Sequence, residues 1–91
     1  MGDGLEPEVA FGLVLRELRK RKKLSQEKLA HEAEIERNYV SLLELGRNSA
    51  SVKMIFKLSS ALNVSVAELM GMVESRIAAS DGRCAVLQRK K

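Results

Sequence analysis

The stretch SQEKLAHEAEIERNYVSLLE, Ser25 to Glu44, carries an apolar pattern that no single helix satisfies. At about 100° per residue, Leu29, Ala30, Ala33, Val40 and Leu43 share one stripe, but Ile35 falls opposite it and Glu36, Arg37 and Glu44 fall inside it. Dividing the stretch into two short helices, with a sharp turn at about Glu34 to Glu36, resets the angular phase. Ile35 then becomes a core plug. In the second helix Ile35, Tyr39, Val40 and Leu43 form the buried side, and Arg37, Asn38 and Ser41 remain on the open one. Two helices of roughly eight to ten residues joined by a tight turn let the second enter a major groove about 12 Å wide while the first rests on the backbone.

The flanking sequence supplies more helices and no clear strand. Pro7 suits the first turn of helix 1, whose face of Phe11, Val14, Leu15 and Leu18 runs to about Lys22. Ser25 is an N-cap candidate for helix 2, about residues 26 to 33. Helix 3 starts near Glu36 and runs to Leu45, with Gly46 as its stop. Val52, Ile55, Leu58 and Leu62 recur at helical spacing in helix 4. The capping-box pattern SVAE, Ser65 to Glu68, opens helix 5, which buries Val66 or Leu69 and ends near Gly71. Beyond Val73 the periodicity lapses. The expected organisation is a flexible N-terminus over residues 1–8, a compact all-α domain of five helices over 9–73, and a basic, disordered tail over 74–91. An extra partner-bound helix in the tail is the alternative.

Composition narrows the functional classes. With 91 residues, 45% apolar content and three aromatic side chains, the chain suits one small aliphatic helical core. At this size self-association is a sensible prior. The single cysteine, Cys84, has no internal partner and no zinc-ligand set near it, which points to the cytoplasm. No apolar run approaches the roughly 18 residues of a membrane span, and the acidic MGDGLEPEVA start does not resemble a secretory signal. Of the net charge of +4, most lies in the tail: residues 1–73 carry eleven basic and ten acidic side chains, and 74–91 carry five and two. Within the body, RELRKRKK (Arg16 to Lys23) gathers six basic groups against one glutamate. It reads equally well as a phosphate-holding patch or as a solvated helix end whose cations offset the macrodipole. His31 has no nucleophile arranged around it, and neither a phosphate loop nor a metal-ligand cluster is present. An enzyme is not expected, and no cofactor, metal or small-molecule ligand is implied.

The run from Phe11 to Met70 resembles the lambda-repressor-like helix-turn-helix domains of phage repressors and Cro proteins, the Cro/C1-type or XRE family. The resemblance rests on LSQEKLA at the entry, small Ala30 where two helices cross, Ile35 in the turn, Val40 and Leu43 as inner anchors, and ALNVSVAEL at the close. Within that superfamily ERNYVSLLELGRN looks most like the controller proteins of restriction-modification systems and related small stand-alone regulators. The resemblance implies a lambda-repressor-like fold and binding of double-stranded DNA. Position by position, it implies a phosphate contact for Gln26 at the start of helix 2. Arg37, Asn38 and Ser41 match base-reading positions, with a phosphate contact as the alternative for Arg37. Tyr39 matches a mixed role, hydroxyl to the DNA backbone and ring inward. Arg47 and Asn48 match backbone-clamping positions, and Lys53 adds a weaker phosphate contact. Arg19 and Glu44 match an ion pair bridging helices 1 and 3.

Departures from the family pattern are also present. Glu34 and Lys23 stand where relatives often place glycine. Leu42 and Leu45 replace polar, DNA-facing groups, so that Leu42 contacts a thymine methyl or the two leucines serve a protein contact. Met54, Phe56, Met70, Met72 and Val73 form surplus apolar surface near helices 4 and 5, assigned either to a twofold dimer contact or to the monomer core. The functional expectation is a transcriptional regulator acting as a homodimer on a palindromic operator, without a membrane partner. The alternative is an antitoxin or other interaction module gripping a partner protein through helix 3 and the tail.

Overall fold

The computed structural model describes residues 5–81, which form α1 (Pro7–Arg21), α2 (Gln26–Ala33), α3 (Arg37–Glu44), α4 (Val52–Ala61) and α5 (Val66–Asp81), with no strand among the described residues. Three helix starts are fixed by serine hydroxyls that accept a backbone N–H three residues on. Ser25 Oγ accepts from Lys28 N at 3.0 Å, Ser51 Oγ from Met54 N at 3.1 Å and Ser65 Oγ from Glu68 N at 2.9 Å. In α1, Pro7 occupies the first turn, where its missing N–H costs no helical bond.

The ends of α1 to α4 share one device. The chain passes through a left-handed residue, Lys23, Glu34, Gly46 or Asn63, each with φ between 60° and 74°. The next residue donates its N–H back over the last turn: Leu24 to Arg19 O, Ile35 to Ala30 O, Arg47 to Leu42 O and Val64 to Ser59 O, all at 2.9 or 3.0 Å. This closure satisfies carbonyls the helix end would otherwise orphan and favours an apolar residue just after the left-handed one. Ile35 is that apolar residue at the end of α2, packed against the core, which is why the sequence breaks phase there.

Leu15, Leu29, Leu43, Leu58, Leu62 and Leu69 are fully buried together with Val14 and Val40, each such side chain stabilising the fold by roughly 1.5–3 kcal/mol relative to exposure. α1 lies at the centre, packed on α3 and α5, while α2 packs on α3 and α4. Gly12 lets α1 and α3 come together: a Cβ there would overlap the Leu43 carbonyl oxygen and lie 2.9 Å from that of Glu44.

Three expectations need correction. α5 does not stop near Gly71 but continues to Asp81, so residues 74–81, assigned above to the tail, are helical. Packing on α1 overrides the weak periodicity: Val73 and Ala78 are buried, Arg76 Nη2 donates to Glu17 Oε1 at 2.6 Å, and Leu5 N donates to Ser80 Oγ at 2.9 Å. Val73 therefore belongs to the monomer core rather than to a free apolar face. Val52, read as inward, is 71% exposed at the first position of α4, because Leu58 and Leu62 already set the inner face. At the other end α1 begins at Pro7 and Leu5 packs against the core, so order begins earlier than the expected boundary after residue 8. Residues 1–4 and 82–91, with Cys84 and the last four cations, lie outside the described residues.

Candidate nucleic-acid interface

α2, the turn at Glu34–Glu36 and α3 form a two-helix unit whose second member is only eight residues long. Its inner side is held by Val40 and Leu43, both fully buried, with Tyr39 and Ile35 packed alongside. Its outer side carries Arg37 and Asn38, both exposed, and Ser41 and Leu42, half-buried, with Leu45 61% exposed just beyond the last turn. Glu36 precedes α3 without a side-chain cap, so the N–H groups of the first turn remain directed outward next to the two polar residues.

Two contacts with α1 set the tilt of this helix. One is the backbone approach at Gly12. The other is the ion pair: Arg19 Nε donates to Glu44 Oε2 at 2.6 Å and Nη2 to Oε1 at 3.1 Å, with the two residues only 9% and 8% exposed. Arg19 Nη1 also donates to Leu24 O at 2.8 Å, so the guanidinium is satisfied on three sides. A paired charge with each of its three nitrogens hydrogen-bonded is tolerated in a core, and its fork geometry restricts orientation more than it adds stability.

The remaining candidates are placed less uniformly. Gln26, at the first position of α2, donates Nε2 to Glu44 Oε1 at 3.0 Å and so is not a free side chain at the helix end. Tyr39 packs its ring inward as expected, and its hydroxyl donates a long 3.4 Å bond to Ser49 O. Arg47 and Lys53 are exposed and Asn48 is half-buried, in and just after the loop following α3. Of the RELRKRKK patch, Arg19 is buried and Arg21 pairs with Glu17 at 3.0 Å, while Arg16, Lys20, Lys22 and Lys23 are exposed. Phe56 is 58% exposed on α4, and Met54, Met70 and Met72 are half-buried. Sequence reasoning missed Gly12 and the Gln26–Glu44 link. A glycine inside an amphipathic helix was the available signal for the first; nothing in the sequence signalled the second.

A short exposed helix braced by a second across a tight turn, on an all-α body, defines a helix-turn-helix DNA-binding regulator. The helix-turn-helix family pattern matches residues 15–69, and the chain belongs to that family. It is 36% identical over 67 residues to the control protein C.MunI of Mycoplasma sp, covering 72% of this chain and 90% of that protein. The restriction-modification controller protein C.AhdI from Aeromonas hydrophila is 45% identical with a TM-score of 0.67, over 68% of this chain and 94% of that one. The fold is also that of the controller protein C.Esp1396I, crystallised as a tetramer with its natural 35 base-pair operator, at 23% identity and a TM-score of 0.74 over 80% of this chain and 96% of that one. The family is regulatory and not enzymatic. No helix among the described residues is long and apolar enough to cross a membrane.

Proposed function

We propose that this protein is a controller-type transcriptional regulator that binds a twofold-symmetric operator as a homodimer in the cytoplasm. The observation that carries the reading is the pairing of an outward row, Arg37, Asn38, Ser41 and Leu42, with an inner side and tilt fixed by Val40, Leu43 and the Arg19–Glu44 pair. In this reading Arg37 pairs with guanine O6 and N7 and Asn38 with adenine N6 and N7, each worth roughly 1–3 kcal/mol of discrimination, and Leu42 packs on a thymine methyl. Gln26, Tyr39, Arg47, Asn48 and Lys53 contact backbone phosphates and fix the register. Phe56, Met54, Met70 and Met72 form the dimer contact, and two reading helices then meet the duplex roughly 34 Å apart. The similarity to control proteins supports the regulatory role.

The test is selection of duplexes from a random pool by the full-length protein, followed by binding of the enriched duplex to Arg37→Ala/Asn38→Ala. Enrichment of a twofold-symmetric sequence and loss of its binding by the double variant are expected. An unchanged affinity in the double variant overturns the reading.

A further inference from the structure

Gln26 Nε2 bears two hydrogens, and only one of them has a partner among the described residues, the Glu44 carboxylate at 3.0 Å. The same Oε1 accepts from Arg19 Nη2 at 3.1 Å, while Oε2 accepts from Arg19 Nε at 2.6 Å. One buried carboxylate thus joins the last turn of α3, the last turn of α1 and the first residue of α2. A glutamine with three side-chain torsions would ordinarily be ordered only on meeting its ligand, which weakens binding. Here one hydrogen bond to Glu44 already holds the amide before any ligand arrives.

We infer that Glu44 is a positioning residue for DNA contact: it holds one Nε2 hydrogen of Gln26 and thereby directs the other to a backbone phosphate oxygen. Arg19 completes the device by neutralising the carboxylate, which otherwise would repel a phosphate approaching the same amide. Because Glu44 also sets the tilt of α3, the phosphate anchor at α2 and the base-reading row share one support, and displacement of either displaces both. The inference rests on the DNA-binding reading above.

The experiment is a cycle measured on the duplex enriched by selection. Gln26→Ala weakens binding of the homodimer roughly a hundredfold, the effect of losing one hydrogen bond to a charged group in each protomer, and leaves the salt slope unchanged, because a neutral amide releases no counterion. Replacing the pair by apolar side chains, R19M with E44L, keeps the fold and weakens binding at least as much, since the anchor and the tilt of α3 lose the same support. In that background Gln26→Ala changes affinity less than about twofold, because the donor is already undirected. An equal factor in both backgrounds overturns the inference. A measurement on the unaltered protein is independent of how the variants fold. In NMR, one Gln26 Nε2 proton is slow to exchange in the free protein and the other shifts only when duplex is added, whereas two rapidly exchanging protons in the free protein refute the inference. Failure of Arg37→Ala/Asn38→Ala to alter binding strikes the DNA-binding reading itself; loss of binding there with no effect of Gln26→Ala on affinity strikes only the role given to Glu44.

Discussion

The same substitution at two helix-interior glycines should change stability in opposite directions. In an exposed helix Gly→Ala stabilises by up to about 1 kcal/mol, through helix propensity and a less flexible unfolded chain. Gly71 meets that condition: it is exposed on α5, and a Cβ there has nothing within 4 Å. Gly12 does not. Its Cβ would overlap the Leu43 carbonyl oxygen and lie 2.9 and 3.0 Å from the carbonyl oxygen and carbon of Glu44. These are backbone atoms, so no rotamer change relieves the contact, and α3 must move off α1 by about 1 Å to restore ordinary van der Waals separation. That shift loosens Val40 and Leu43 and strains the Arg19–Glu44 bonds. Overpacking of this kind costs about 1–3 kcal/mol, and subtracting a propensity gain of about 1 kcal/mol leaves Gly12→Ala destabilised by up to about 2 kcal/mol, or up to roughly 15 °C in Tm. Thermal unfolding followed by circular dichroism compares the two variants directly. Equal shifts of the same sign, or a Tm of Gly12→Ala at or above that of the unaltered protein, refute the close approach of α1 and α3.

Three further outcomes follow from the same geometry. Glu44→Ala strands the buried Arg19 guanidinium and should cost about 3–5 kcal/mol in urea unfolding; a loss below about 1 kcal/mol would mean that the pair is solvated. Glu34 holds φ 60° and ψ 45° at the hinge, a region costing a residue with a Cβ roughly 1–2 kcal/mol. Glu34→Gly should therefore raise Tm or leave it level, once the greater freedom of the unfolded glycine is deducted, and a clear fall would show that the Glu34 side chain supports the turn. Phe56→Glu places a charge on an exposed ring position and should leave the monomer fold intact while shifting sedimentation from dimer to monomer. A dimer of unchanged strength would exclude Phe56 from that contact.

How much of this was legible in the sequence depended on whether a signal was local. The N-caps at Ser25 and Ser65, Pro7 in the first turn and the reset at Ile35 are written within four or five residues of the structure they produce, and α2 begins and ends where its sequence says. The helical continuation of α5 was hidden because Ala78, Ile77 and Arg76 make a face only against α1, across a sequence separation of 59 residues for Arg76 and Glu17. Val52 was misplaced because a periodic match at a helix's first position carries little angular information. At the candidate interface, the outward side of Arg37 and Asn38 followed from helical phase alone, whereas the bond from Gln26 to Glu44 could not be read, since Glu44 stands 18 residues away on a different helix.

The charge balance explains why such fixing matters. With eleven basic and ten acidic side chains over residues 1–73, and Glu32, Glu34 and Glu36 exposed around the hinge, the body exerts little general attraction on a polyanion. Long-range steering that raises encounter rates in strongly basic proteins is weak here. Affinity must then come from a few short-range donors, and a donor that arrives disordered or slightly displaced is a large fraction lost. The described core contains three buried polar residues, Arg19, Glu44 and Ser59, and two of them form the brace between α1 and α3 that also reaches α2. A near-neutral helix-turn-helix can reach useful affinity by keeping its few contacts rigid and doubling them through a twofold axis, and the placement of buried polarity in this molecule follows that requirement.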